Sequence, residues 1–203
     1  MHPSRQKYPN DFDLHWVRMA RPHYFDPKWR FIVAVVKDEA GKEVIAGCGQ
    51  WSRMGDGGKG MRYGWFDPRR YARPLMAAAM KIHARIWPNR AADPAEEDVI
   101  ERAMPLVADS WAGDRAECWN LEIMAVHPEH QGRGVGRLIV KWGLDRADEE
   151  RVCASVISSK GKEPFYLKCG FNLEDGRVGR GEGNPLAWWD GGRMFWRIPG
   201  TTV

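Results

Sequence analysis

The chain is 203 residues long, 43% hydrophobic and 29% charged, with 31 basic against 27 acidic side chains and a formal net charge of +4. That length suits a single domain, 1–203, with a sizeable core; the composition excludes a disordered tail, and no apolar run approaches the roughly 20 residues needed to cross a bilayer. The small basic excess favours phosphate-bearing ligands but lacks the long basic run of a nucleic-acid binder, so neither nucleic acid nor membrane is expected as a partner.

In chain order, a short helix is expected around Asp13 to Met19. Trp29 to Lys37 (WRFIVAVVK) is dense in apolar and β-branched residues, as a buried strand requires. Turn chemistry at 38–42 leads into Glu43 to Arg53 as the returning strand of an antiparallel hairpin. Gly55 to Gly60 reads as a flexible loop. A helical insertion, 54–113, then interrupts the strands. Pro74 to Trp87 has helical spacing, and Pro94 to Trp111 reads as a second helix capped by Asp93.

Beyond it the elements alternate. Cys118 to Val126 is a strand, Gly134 to Arg151 a helix, Val152 to Ser158 a strand and Glu163 to Cys169 a short helix. Phe171 to Glu174 and Arg193 to Ile198 supply closing strands. A strand–helix–strand unit implies a parallel or mixed sheet with a right-handed crossover. The fold class is therefore α/β, with an α+β mixed sheet: an antiparallel front and a βαβα back. Within the helix, Val135, Leu138, Ile139 and Trp142 form the stripe expected to face the sheet.

The most informative segment is Leu121 to Val140, LEIMAVHPEHQGRGVGRLIV. A strand ends at Val126, Pro128 breaks it, and Gln131-Gly132-Arg133-Gly134-Val135-Gly136 runs straight into a helix. Glycines there let a ligand approach the main chain, and loop amides plus the helix start make an anion-binding concavity. Arg133 and Arg137 add charge. The loop lacks the Gly-Lys-Ser/Thr ending of a P-loop and the G-x-G-x-x-G spacing of a dinucleotide fold. A pyrophosphate is the expected occupant.

Val126 to Gly136 resembles the coenzyme-A-binding signature of the GNAT superfamily of N-acetyltransferases, with Gln131, Gly134 and Gly136 at its fixed positions. Phe165-Tyr166-Leu167-Lys168-Cys169-Gly170-Phe171 is similar to that family's second hallmark. The resemblance implies a GNAT-like acyl-CoA N-acyltransferase fold with an acetyl-CoA-binding core over 115–176. It also implies acetyl-CoA (coenzyme A) as cofactor, in a gap where Leu121 to Val126 and Ala154 to Ser158 splay apart. On this basis Met124, Ala125 and Val126 would serve the pantetheine arm. Gln131, Gly132, Arg133, Gly134, Val135, Gly136 and Arg137 would serve the pyrophosphate, with Ser159 near the strand end.

Acetyl transfer by direct attack in a ternary complex needs a neutral amine and a proton for the leaving thiolate. Amines near pKa 10 are about 99.9% protonated at pH 7, so a base is required. Glu122, a carboxylate in a central strand, is the first candidate; the alternatives for it are an arginine salt bridge or exposure at a splayed edge. Asp114, Glu117, His127 and His83 follow it. The resemblance gives Tyr166 the place of the general acid, or of a residue that only packs under the cofactor. No cysteine has a histidine partner for covalent catalysis, and no metal site is expected.

Cys48, Cys118, Cys153 and Cys169 are scattered without a C-x-x-C pair, as in a reducing compartment, and the N-terminus has no apolar leader; a cytoplasmic location follows as expectation. Tyr63, Trp65, Phe66, Tyr71, Trp87 and Trp111 of the insertion, Trp51 before it, and Trp188, Trp189, Phe195 and Trp196 near the C-terminus are candidates to enclose the acceptor or simply to pack. The basic set Arg53, Lys59, Arg62, Arg69, Arg70 and Arg73 is either a solvated loop or a contact for an acidic acceptor or a nucleotide phosphate. An enclosed aromatic site suits a small-molecule amine. The alternatives are a protein lysine or N-terminal acetyltransferase and a non-catalytic acyl-CoA-binding module. The oligomeric state, monomer or homodimer, stays open.

Overall fold

A computed structural model describes residues 2–200. Its elements are α1 (Pro9–Tyr24), β1 (Trp29–Lys37), β2 (Glu43–Arg53), α2 (Gly55–Gly60), α3 (Arg69–Ile86), α4 (Val99–Ala103) followed by a 3-10 segment (Met104–Trp111), β3 (Cys118–Val126), α5 (Val135–Glu150), β4 (Cys153–Ser158), α6 (Glu163–Cys169), β5 (Leu173–Arg177) and β6 (Arg193–Arg197). The strands form one six-stranded mixed sheet in the order β1-β2-β3-β4-β6-β5. β1, β2 and β3 pair antiparallel, β3 and β4 parallel, and β6 antiparallel to both β4 and β5.

One face of the sheet packs on α5. Trp51, Leu121, Val140, Leu144, Val156, Phe171 and Phe195 belong to that core, and the Trp51 indole N–H donates to the Ile139 carbonyl at 3.3 Å. The helix lies close on β2 because glycines face it: side chains at Gly47 or Gly49 would run into Ile139, and one at Gly143 would enter the Trp51 ring. This close seating corrects the expected stripe. Leu138 is 65% exposed, and the buried line is Val135, Ile139, Val140, Gly143, Leu144 and Ala147. Gly143→Val is expected to destabilise the protein by roughly 1–3 kcal/mol or more through overpacking, seen as a lower urea midpoint.

Val99, Ala103 and Val107 pack with Val178 and Leu186 in a second cluster. Several boundaries differ from expectation. α1 runs well beyond 13–19 because Pro9 occupies its first turn, where no N–H is needed. Residues 55–60 are a helical turn, not a loop: the Glu117 carboxylate accepts the N–H groups of Asp56 and Gly57. α3 starts before Pro74, where Asp67 Oδ1 accepts the Arg69 N–H at 2.9 Å. The expected 94–111 helix splits into α4 and the 3-10 segment, with Pro105 at the start of the latter.

Candidate functional site

The parallel ladder between β3 and β4 is short. It joins Cys118 to Cys153, Trp119 to Ala154, Asn120 to Ser155 and Leu121 to Val156, and there it stops. Met124, Ala125 and Val126 stay paired to Gly49, Cys48 and Gly47 of β2, so their edge toward β4 opens into a gap. Backbone N–H and C=O groups along such an edge need partners, and an extended ligand arm can supply them. The splay thus begins one residue pair past Leu121.

Glu122 occupies that pivot. The register between β2 and β3 slips between Gln50 and Trp51, which pair with Ile123 and Leu121, so Glu122 is the extra residue of a β-bulge. A bulge bends its strand and re-aims the side chain it carries. Here the carboxylate Oε1 accepts a hydrogen bond from Ser52 Oγ at 2.8 Å, and the side chain is otherwise exposed. No arginine pairs with it among the described residues, so the salt-bridge alternative for Glu122 is not what the structure holds.

Alternation along the strands identifies the face it looks onto. Trp51, Trp119, Leu121, Ala154 and Val156 join the α5-side core, so Ser52, Asn120 and Ser155 face the other way. Ser155 Oγ donates to Asn120 Oδ1 at 2.7 Å and accepts from the Trp111 indole N–H at 3.1 Å. Further along, the Gln50 amide nitrogen donates to His23 Nδ1 at 2.9 Å, and the His23 ring stacks on Trp29 at 3.8 Å. Burial lowers the His23 pKa and holds the imidazole neutral. These polar residues of the second face were not among the expected ones, though their signal was present: Gln50, Ser52, Asn120 and Ser155 are polar residues buried within strands.

The loop beside the gap has the expected shape. Gly132 and Gly134 take the left-handed conformation, φ +74° and +82°, and a Cβ at either would meet nothing within 4 Å. Open space therefore lies where a ligand must approach. Leu138 N–H donates to the Gly134 carbonyl, which leaves the N–H groups of Val135, Gly136 and Arg137 at the start of α5 without an intrahelical acceptor. Gly136 differs from its neighbours. A Cβ there would press on the Phe165 ring at 3.2 Å, so the ring would have to give by a few tenths of an ångström. Gln131 acts on the protein: its Nε2 donates to the Val126 carbonyl at 3.1 Å, so that group is already engaged. Arg133 and Arg137 are exposed and form no ion pair among the described residues. Arg137 continues into a groove of about 270 Å³ that also holds Lys168 and the ion pairs Lys141–Asp145 and Arg197–Asp148. Ser159 is exposed in the turn after β4, its carbonyl accepting from Ser158 Oγ and Lys162 N–H.

Tyr166, on α6, is buried among Phe165 and Phe171. It shares a packed cluster with Leu121 and Val156, the last pair of the parallel ladder. Its hydroxyl has no hydrogen-bond partner among the described residues. Burial, with a smaller push from Cys169, raises its pKa to about 12, so the phenol keeps its proton throughout the neutral range.

Other candidates are placed elsewhere. Glu117 pairs with Arg53 at 2.7 Å, His83 Nδ1 accepts from Arg18 at 2.9 Å, His127 is exposed and accepts from its own turn, and Asp114 lies before β3 with its carbonyl facing Cys153. The aromatic enclosure is only fractionally present. Trp65, Phe66, Tyr71, Trp87 and Trp188 are exposed, whereas Trp51, Phe195 and Trp196 are core. Of the insertion's aromatics, Trp111 is the one bonded to the face carrying Ser155.

A profile of the acetyltransferase (GNAT) domain matches residues 95–173, which span the splayed strands, the glycine loop and α6. A protein of Stachybotrys chartarum named acetyltransferase is 25% identical over 177 residues, covering 84% of this chain and 67% of its own length. Among solved structures, one described as histone acetyltransferase HPA2 and related acetyltransferase from Corynebacterium glutamicum superposes with a TM-score of 0.52 at 16% identity. That match covers 96% of this chain and 78% of the other, a likeness of fold.

Proposed function

We propose that this chain, which matches the GNAT acetyltransferase domain over residues 95–173, transfers an acetyl group from acetyl-CoA to a primary amine of a small molecule, by direct attack in a ternary complex. The observation that carries this reading is the end of the parallel ladder at Leu121 and Val156, with the bulged Glu122 as the next residue of β3. The gap fits the cofactor on this chain's own terms: an unpaired strand edge, open space above Gly132 and Gly134, and free helix-start N–H groups. Gly132, Arg133, Gly134, Val135, Gly136 and Arg137 would hold the pyrophosphate, and the Met124–Ala125 edge would hold the pantetheine arm. When bound, the cofactor supplies the activated acetyl thioester.

The chain's residues supply the proton handling. Glu122, fixed by Ser52, takes the proton that keeps the amine from attacking; Tyr166 keeps its phenolic proton and offers it where the thiolate departs. A side chain re-aimed by a bulge at the mouth of the gap, and held there by Ser52, has the position for the first task. For the second, a buried phenol without an internal partner keeps its O–H available.

The test is acetyl-CoA with a panel of small amines and lysine-containing peptides, followed by free-thiol release, with thermal shift by CoA as a separate readout of cofactor binding. Turnover with small amines and none with peptides is the expected result; turnover confined to peptides would move the acceptor to proteins, and a CoA shift without turnover would leave a binding module. Glu122→Gln is expected to lower kcat about 10²-fold while the CoA shift persists. Ser52→Ala, which frees the carboxylate to rotate, should cost less, about 3–10-fold, by the net worth of one hydrogen bond.

Among the described residues no helix is long and apolar enough to cross a membrane.

A further inference from the structure

A second cavity, of about 410 Å³, lies between the α1–β1 turn and the α2–α3 segment. Lys28, Lys59, Arg62, Arg70 and Arg73 line it, together with the buried Asp26. Two of these cations are matched: Lys59 pairs with Asp56 at 2.8 Å and Arg73 Nε lies 3.2 Å from Asp26 Oδ2. Lys28, Arg62 and Arg70 form no ion pair among the described residues. They are held by other means: the Lys28 ammonium sits 5.9 Å over the Trp29 ring, Arg70 stacks 4.7 Å from Trp65, and Arg62 Nε donates to the Lys59 carbonyl at 3.3 Å. Asp26, its side chain only 7% exposed, also accepts the Lys28 backbone N–H through Oδ1 at 3.2 Å, so the carboxylate fixes the α1–β1 turn as well as pairing with Arg73. Converging cations in excess over carboxylates, in a concave site, favour an anion.

The cavity is joined to the face that carries Glu122. Lys28 precedes Trp29, Trp29 stacks on His23, His23 is bonded to Gln50, and Trp29 is the cross-strand partner of Ser52, whose hydroxyl holds Glu122. It stands on the β1 side of the sheet, whereas the glycine loop follows the far end of β3. We propose that this cavity binds an anionic group, a carboxylate or a phosphate, on the acceptor amine, so that the substrate class is small amines bearing a negative charge. The proposal rests on the acetyl-transfer reading above and specifies its acceptor.

Matched acceptors test it. ω-Amino acids of increasing length are compared with their ω-amino amides, and O-phosphoethanolamine with ethanolamine, which separates carboxylate from phosphate as the favoured anion. Each pair keeps the amine and removes the charge. At the fitting length, kcat/KM for the anion is expected to exceed that for its neutral partner about tenfold or more. In Arg62→Gln/Arg70→Gln the ratio should fall toward one, with the CoA thermal shift retained as evidence of folding. Equal use of both members by the wild type, or a ratio that survives in the double variant, overturns the proposal. A second readout needs no turnover: inorganic phosphate should raise the melting temperature of the wild type more than that of the double variant, and equal responses count against the cavity. If no amine is acetylated and the phosphate response still depends on the two arginines, the acetyl-transfer reading falls while the anion site stands.

Discussion

Tyr166→Phe is expected to lower kcat by about 10²–10³-fold while leaving the thermal stabilisation by CoA close to that of the wild type. The substitution removes one oxygen from a ring wedged against Phe165 and Phe171, so packing is kept and only the proton is lost. Because burial raises the phenol to about 12, the wild-type rate should show no loss from Tyr166 ionisation as pH rises to 10. The same shift carries a stability consequence. An unfolded tyrosine ionises near pH 10, and the folded one resists until about 12, so the native state holds the extra proton in that window. The stability due to this group is therefore complete below pH 10 and is lost as pH climbs toward 12. Urea unfolding between pH 9 and 11 should show a steeper decline for wild type than for Tyr166→Phe. If kcat and the CoA shift fall together in the variant, Tyr166 is a residue that seats the cofactor and not one that delivers a proton.

The strands were mostly legible because their signals are local; β5 is the exception, running Leu173–Arg177 where Phe171 to Glu174 was expected. β1, β2 and β3 keep the boundaries that their apolar runs and flanking turn residues imply, and α6 runs from Glu163 to Cys169 as its Gly170 stop suggests. The 54–113 segment was less legible because distant groups decide it. Nothing within GDGGKG calls for a helical turn; the Glu117 carboxylate, sixty residues on, accepts its N–H groups. Leu138 fits a helical stripe on spacing alone, yet the seating of α5 through Gly143 on Trp51 turns it outward.

The site divides in the same way. The glycine loop and the Tyr166 helix are each a single short stretch of sequence, so a short window displays either one. The bulge at Glu122 is a property of register between β2 and β3, and no single strand reveals it. Ser52, Gln50 and His23 meet the site through pairing and stacking across strands and helix, which is why sequence order hides them. The aromatic residues misled for a related reason. Composition counts tryptophans without saying which face they take, and the register puts Trp51 into the core while Trp65 and Phe66 remain outside.

Gly134→Glu should abolish the CoA thermal shift with only a modest change in the melting temperature of the free protein. Gly134 has φ +82°, a conformation that costs an L residue roughly 1–2 kcal/mol. A new Cβ would meet nothing within 4 Å, so no clash adds to that strain, and an acidic cap at the start of α5 returns about 0.3–1 kcal/mol. The same carboxylate would occupy the N–H groups of Val135, Gly136 and Arg137 and offset the charge of Arg133, removing what a pyrophosphate needs. In the wild type, CoA at about 100 times its dissociation constant adds about 2.7 kcal/mol of stability, and at roughly 2–4 °C per kcal/mol that is a shift of roughly 5–11 °C. Gly134→Ala separates the causes: it carries the same backbone strain without the charge, so it should keep much of the shift. Loss in both variants would assign the effect to loop conformation, and a wild-type response from Gly134→Glu would mean that the diphosphate is held somewhere other than the start of α5.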